Sequence, residues 1–411
     1  MTDEAMYCIS RGGEVFCDYD RNKMRKRVQN VLEKSLNLST LIGSGASLPS
    51  IPLMGDIFSK FREEIREEQG CEDGETIVDT YINNICKHYS KYKGKEKDFS
   101  DIEFFLSWLQ SRIEGNLEDD TTDEQLSKRL QEKLIQAVKK GSFDEKINQE
   151  TISNYQKVIQ GLGRSRQILA RQQRTIFDIV NLFTTNYDLF HERALENSRY
   201  IYTDGFVNGL SCVFSDREFH RRPIDLEDRF KEKLEPINPF FRLFKLHGSI
   251  NWKNENNKIV RLSEMECNKG KCFNRGAALE EFNRILISPM SSKYALTQNA
   301  PYSDLFREFV NCLAQPNSVL FTSGFSYGDS HISNLIEDAL GRTDFTLYAF
   351  VSNPKTSNNS ALLDFYNRVS NAPNAFFIYP DCQDSSPLKF EDFAYFMQPH
   401  DENFGDGAGD E

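Results

Sequence analysis

Short apolar runs, each ending in a cluster of small or polar residues, constrain this chain more than any other feature. Leu38–Ile42 runs into Gly43-Ser44-Gly45-Ala46-Ser47, and Ile176–Phe183 into Thr184-Thr185-Asn186-Tyr187-Asp188. Phe241–Leu246 ends in His247-Gly248-Ser249, and Ser318–Thr322 in Ser323-Gly324-Phe325-Ser326. Thr346–Val351 ends in Ser352-Asn353-Pro354, Ile285–Ser288 meets Pro289, and Ala375–Tyr379 is predicted as a last strand. Helical patterns follow several of these runs: from Leu189, over His331–Leu340, and near Ala361. Strands that alternate with helices predict a parallel sheet. Such a sheet binds its ligands outside the carboxyl ends of its strands, which is where these polar clusters fall.

From about Asp56 to Arg174 the texture changes to long, polar, helical patterns with few β-branched runs. Ile57–Glu68, Thr76–Tyr89, Ile102–Ile113, Thr122–Lys139 and Glu150–Arg174 are predicted helices, with the acidic stretch Gly115–Glu124 read as a solvated loop. The predicted fold class is therefore α/β: a Rossmann-like doubly wound parallel sheet with a large helical insertion. The predicted boundaries are an N-terminal segment over 1–24 and an α/β domain over 25–56 and 175–399. The helical insertion covers 57–174, and an acidic, Gly-rich tail over 400–411 is expected to be disordered.

Charge and composition narrow the partners. A net charge of −12 over 411 residues repels nucleic acid at long range, so direct nucleic-acid binding is not expected. The basic run Arg21–Arg27 is read as the solvated face of a helix, with contact to phosphate or an acidic partner as the alternative. No run approaches the roughly 18 to 20 apolar residues of a membrane helix. The N-terminus lacks a secretory plan. Nine scattered cysteines are read as free thiols of a reducing, cytoplasmic protein.

Three motifs carry chemistry. Gly43, Gly45 and Ser47 allow close backbone approach to a pyrophosphate, although taken alone they are read somewhat more readily as an ordinary tight turn. Leu48 stands where a third glycine of a dinucleotide fingerprint would fall, which speaks against a dehydrogenase. Asp188 is suited to cap the following helix, a role that leaves Asn186 unexplained, since buried amides at a strand end need partners. His247 is either a satisfied structural group or a base, for which an imidazole titrating near pH 6.5 is well suited.

Taken together, the glycine turn, Thr185-Asn186-Tyr187-Asp188, His247-Gly248 and the Gly324-Phe325-Ser326 strand end resemble the motif order of sirtuins and their bacterial relatives. Gly324-Phe325-Ser326-Tyr327-Gly328-Asp329-Ser330-His331-Ile332 is similar to a block of prokaryotic sirtuin-like defence proteins. The resemblance spans Gly43 to Asn353 in scattered blocks. It implies an NAD-cleaving site in which Gly43, Ser44, Gly45, Ala46, Ser47 and Thr185 line the cofactor. Asn186 would position water or the reacting ribose, and Asp188 would contact the nicotinamide carboxamide. His247 would be the general base, Ser323 and Gly324 would lie against the cofactor, and Asn353 against the adenosine ribose. It assigns no role to Asp329 and His331, for which helix capping is the alternative.

Two departures shape the expected reaction. The zinc-holding Cys pairs of protein deacylases are not reproduced, since Cys267 and Cys272 form the only close pair; no zinc is expected. After the glycine turn the chain reads Ile51-Pro52-Leu53-Met54-Gly55-Asp56 where deacylases carry an Asp-Phe-Arg element. Both differences favour hydrolysis of NAD to nicotinamide and ADP-ribose, as in bacterial antiphage NAD hydrolases. The resemblance further implies a homo-oligomer and a HerA-type ATPase partner. An NAD-dependent deacylase, an ADP-ribosyl transferase and a non-catalytic NAD-sensing subunit stay open as alternatives.

Overall fold

The computed structural model describes residues 6–68, 78–79, 82–83, 102–114, 121–144, 148–173, 179–230, 233–256, 258–268, 300–381 and 388–398. Most of the helix expected over Thr76–Tyr89 lies outside them, as do the strand expected at Ile285–Ser288, Cys272 and the 400–411 tail.

The chain opens with a hairpin, β1 (Met6–Arg11) and β2 (Glu14–Asp20), followed by α1 (Arg21–Lys34) and β3 (Asn37–Ile42). Then come α2 (Met54–Glu68), α3 (Ile102–Glu114), α4 (Thr121–Phe143) and α5 (Gln149–Gln173). β4 (Ile179–Thr184), α6 (Phe190–Asn197) and β5 (Ile201–Thr203) precede the small antiparallel pair β6 (Ile224–Phe230) and β7 (Lys233–Pro236). β8 (Phe240–Lys245) leads to a second such pair, β9 (Trp252–Glu255) and β10 (Lys258–Arg261), and to α7 (Glu264–Asn268). The rest alternates: α8 (Tyr302–Leu313), β11 (Ser318–Ser323), α9 (Ser330–Leu340), β12 (Phe345–Phe350), α10 (Ser360–Val369), β13 (Ala375–Pro380) and α11 (Phe390–Met397).

Nine strands form one sheet in the order β2-β1-β13-β12-β11-β3-β4-β8-β5. From β13 to β5 every pairing is parallel, and the β1–β2 hairpin adds an antiparallel edge to β13. This is the expected α/β class, with mixed pairing only at that edge. From β3 the chain adds β4, lays β5 at the edge and inserts β8 between them, then returns to build β11, β12 and β13 on the other side. The direction of winding therefore reverses between β3 and β11, and an open α/β sheet binds ligands at such a switch point. Register makes this edge flush: Ser323 pairs with Ile42, Ile42 with Thr184, and Thr184 with Lys245. Four loops thus leave the sheet at one level.

The two faces are covered separately. Leu41, Phe183, Phe244, Leu320 and Leu347 point into a core shared with α8, α9 and α10. Their neighbours Ile42, Leu182, Leu243 and Phe321 point the other way, against α1, α5, α6 and α11. That alternation explains the nearly unbroken apolar strands, since each successive side chain meets a different layer. α5 is integral to its layer: Ile152, Tyr155, Ile159 and Leu162 form its buried face. Its fully buried Arg166 donates to the carbonyls of Leu32 and Ser35, at the C-terminal end of α1. By contrast, α2, α3 and α4 build a satellite core around Phe58, Phe61, Phe105 and Leu130.

The free-thiol expectation is corrected at three of the described cysteines. Cys8 and Cys17 form a disulfide across the β1–β2 hairpin, with Cα atoms 4.0 Å apart. A separation of nine residues looks unrelated in the linear chain, but the hairpin turn folds it into a cross-strand pair. Cys267 is also disulfide-bonded, whereas Cys212 and Cys312 are free. No helix among the described residues is long and apolar enough to cross a membrane.

Candidate active site

The loops leaving β3 and β11 are locked together at the backbone. Gly43 N–H donates to the Ser323 carbonyl at 3.0 Å and Gly45 N–H to the Gly324 carbonyl at 2.9 Å. A Cβ on Gly43 would come within 2.5 Å of the Gly324 oxygen. Gly324 has φ +64°, and a Cβ there would meet Ala46 N at 2.4 Å. These glycines thus answer a demand the sequence did not reveal: two loops at the switch point must touch. Ala46 N–H is likewise used, on the Gly43 carbonyl. The turn continues as a short 3₁₀ segment, Ser44–Ser47, and α2 begins only at Met54.

Beside this lock lies a cavity of about 270 Å³. Ser44, Ser47, Thr185, Asn186, Asp188, His247 and Gly324 all line it, so the structure gathers most of the sequence-predicted residues on one wall. Gly43 and Gly45 stand behind that wall, packed on Gly324. Ala46 is buried in the core under the sheet, and Ser323 is buried beneath the loop. Asn353 is not on the wall; its side chain accepts from Lys355 N–H at 3.1 Å in the loop after β12.

Asn186 is the most constrained of the lining residues. Thr184 Oγ1 accepts from its backbone N–H at 3.0 Å and donates to the Ile42 carbonyl at 2.8 Å, clipping the β4 loop to β3. The Asn186 Nδ2 donates to the Gly43 carbonyl and to Ser47 Oγ, both at 3.0 Å, and to Tyr155 Oη at 3.3 Å. A carbonyl oxygen can only accept, so the amide orientation is set. Its Oδ1 is buried without a hydrogen-bond partner, on a residue that faces the cavity. An orphaned buried acceptor costs free energy unless a ligand or water supplies a donor.

Asp188 sits beside it under tension. Ser47 Oγ donates to its Oδ2 at 2.6 Å, and Phe190 N–H to its Oδ1 at 3.2 Å; the N-cap position of α6 is Leu189, so Asp188 stands one residue before the cap expected of it. Burial nevertheless raises its carboxyl above the usual range, and the Lys245 charge pulls it back. Lys245 ends β8 and is itself buried; its ammonium donates to the Asp188 carbonyl and to Glu192 Oε1 at 3.0 Å. Glu192 is also raised by burial and lowered by the same lysine. One ammonium thus serves two buried carboxyl groups. Removing it in Lys245→Met is expected to destabilise the fold by about 3–5 kcal/mol, since a buried charge loses its partner. With both folded carboxyl pKa values raised further above their unfolded values, that loss grows as pH rises. Melting curves of wild type and variant at pH 6 and pH 8 measure this, and equal differences at both values contradict it.

The histidines separate by environment. His191 packs edge-on against Tyr155 at 4.9 Å and is pushed down to about 3 by burial and by Lys245. It is neutral at physiological pH. His247 lies on the cavity wall, and its Nε2 is 3.0 Å from Asp329 Oδ2. Gly248, with φ +89°, lets the chain turn directly after it.

Sequence reasoning missed three contributors. Tyr155 comes from α5, where its spacing with Ile152 and Ile159 marks only a buried helix face. Lys245 carried a signal, a charge closing an otherwise apolar strand. The apolar roof was not legible at all: Met54 and Ile57 of α2 and Leu134, Ile135 and Val138 of α4 close over the cavity from the helical stretch.

Residues 180–369 match the model of the SIR2-like domain family. The match covers Asn186, Asp188, His247 and Asp329, and excludes the Gly43–Ser47 turn and the helices from α2 to α5. No curated protein matches the chain.

Proposed function

We propose that this protein is an NAD glycohydrolase, cleaving the nicotinamide–ribose bond at the cavity beside the switch point. A SIR2-like domain is compatible with NAD-related activity, and the sheet places its polar loops where such folds take dinucleotides. The observation that carries the reading is the unpartnered Asn186 Oδ1, held on the same wall as His247. It offers an acceptor to a water or ribose hydroxyl, next to a side chain able to take the proton.

The chemistry asks for little else. As the C1′–N bond breaks, its electron pair returns to the pyridinium nitrogen and nicotinamide leaves neutral. Positive charge then builds on the ribose, and water adds to C1′ while losing a proton. Asn186 fixes the attacking oxygen, His247 accepts the proton, and Asp188 receives the carboxamide of nicotinamide. The apolar roof of Ile57, Leu134 and Ile135 suits the flat nicotinamide and limits entry of bulk water. A volume of about 270 Å³ fits one end of the dinucleotide rather than the whole.

The test is incubation of the purified chain with NAD, followed by chromatography. Nicotinamide with ADP-ribose supports the reading, and a cyclic product redirects it. Acyl-lysine-dependent turnover moves it to a deacylase. Intact NAD, both alone and with a HerA-type ATPase added, rejects catalysis in favour of an NAD-sensing subunit. A role in antiphage defence, a homo-oligomer and a HerA-type partner belong to the same proposal and rest on the family resemblance. The division into an α/β domain, a helical insertion and a tail is part of the proposal too, and rests on the change in sequence texture along the chain.

A further inference from the structure

Asp329 is the N-cap of α9, and a cap needs only one carboxylate oxygen. Its Oδ1 accepts from the backbone N–H groups of His331 and Ile332 at 3.1 and 3.3 Å. Its Oδ2 points the other way and lies 3.0 Å from His247 Nε2. Both side chains are more than nine-tenths buried, and both line the cavity. The positive end of α9 favours a carboxylate at this position, and its two backbone donors fix how it is aimed. The second oxygen therefore has a use that helix capping does not explain.

We infer that Asp329 is the positioning residue of the general base, orienting His247 and setting its tautomer. This rests on the proposed NAD cleavage for its catalytic consequence, but not for its structural one. A carboxylate can only accept, so Nε2 carries the hydrogen and Nδ1 is left with the lone pair. When a ligand hydroxyl or water gives its proton to Nδ1, the ring becomes an imidazolium while Nε2–H stays on Asp329. The carboxylate then stabilises the new charge without itself taking a proton. His331 does not compete for that role. Burial holds its pKa below the usual histidine value against the opposing charge of Asp329, with a smaller lowering from His247, and its ring packs on Phe306 at 4.6 Å.

Substitutions that keep the cap and remove the carboxylate isolate this function. Serine and asparagine are both good N-caps, so Asp329→Ser and Asp329→Asn should retain α9. The first measurement is the ring-nitrogen spectrum of the full chain labelled with ¹⁵N-histidine, at a pH where His247 is neutral. The chain has six histidines, and the His247 signals are those lost in His247→Gln. Wild type should show the Nε2–H tautomer, and Asp329→Ser should show a mixture of both forms. Asp329→Asn, whose amide can donate to Nε2, should move toward Nδ1–H. An unchanged tautomer in both variants would overturn the proposal, whether or not the protein cleaves NAD. The second measurement is turnover: kcat should fall on the order of 10²-fold or more in both variants, with KM for NAD little changed. Asp329→Glu should recover part of that loss. A changed tautomer with kcat within twofold of wild type would refute the catalytic consequence. Absence of cleavage by wild type would sink the function while leaving the tautomer result decisive.

Discussion

Asn186→Ala is expected to lower the rate of NAD cleavage by about 10²–10³-fold while the protein still folds, the usual effect of deleting one pre-positioned polar group. The side chain divides its atoms between two tasks. Its Nδ2 ties the β4 loop to the Gly43 carbonyl, Ser47 and Tyr155, and its Oδ1 is left for the ligand. Alanine abolishes both, so a stability loss of about 1–3 kcal/mol accompanies the lost activity. The two effects are separable. Circular dichroism and melting report the fold, calorimetry reports NAD binding, and product formation reports chemistry. Binding within a few-fold of wild type with almost no nicotinamide released places Asn186 at the reacting atoms. A folded variant with near-normal turnover removes it from the mechanism.

His247→Ala should cost about 10²–10⁴ in rate, the range for losing a general base. The loss should appear in kcat, because the ring faces a cavity whose walls and roof are otherwise intact. His247→Gln is the sharper comparison. Glutamine keeps an N–H for Asp329 and much of the volume, but cannot take up a proton near neutral pH. If both variants lose cleavage alike, proton transfer is the missing function. If glutamine restores more than about a third of wild-type kcat, His247 acts by shape and hydrogen bonding, and the base lies elsewhere. His191 is no substitute, because burial and the Lys245 charge push its pKa down to about 3 and leave it a weak base.

Much of the frame was legible in the linear chain. The strand–loop rhythm places β3, β4, β8, β11, β12 and β13 and their parallel pairing, because a strand buried on both faces has to be apolar throughout. The boundaries of α4, α5 and α9 lie within a few residues of the sequence expectation. The free-thiol reading failed for an identifiable reason: the Cys8–Cys17 pair depends on a hairpin in a segment with weak periodicity. Asn353 was assigned by motif order, and its side chain accepts from Lys355 N–H in its own loop. The Gly43 and Gly45 amides, read toward a phosphate, donate to the Ser323 and Gly324 carbonyls.

The sequence by itself therefore determined the class of fold, the sheet edge at which the polar loops gather, and Asn186, Asp188 and His247 as polar residues that line the cavity there. Those are consequences of local order: an apolar run, then a polar cluster, then a helix. Only the tertiary structure decided how these residues are held. The registers that align Ser323, Ile42, Thr184 and Lys245 bring together loops separated by up to 281 residues in the chain. They place Tyr155 on the Asn186 amide, Lys245 between the Asp188 main-chain carbonyl and the Glu192 carboxylate, and Asp329 on His247. They also draw α2 and α4 over the cavity as its roof. No spacing in the sequence encodes such contacts, because they arise from winding about a switch point and from burial that makes each polar atom find a partner.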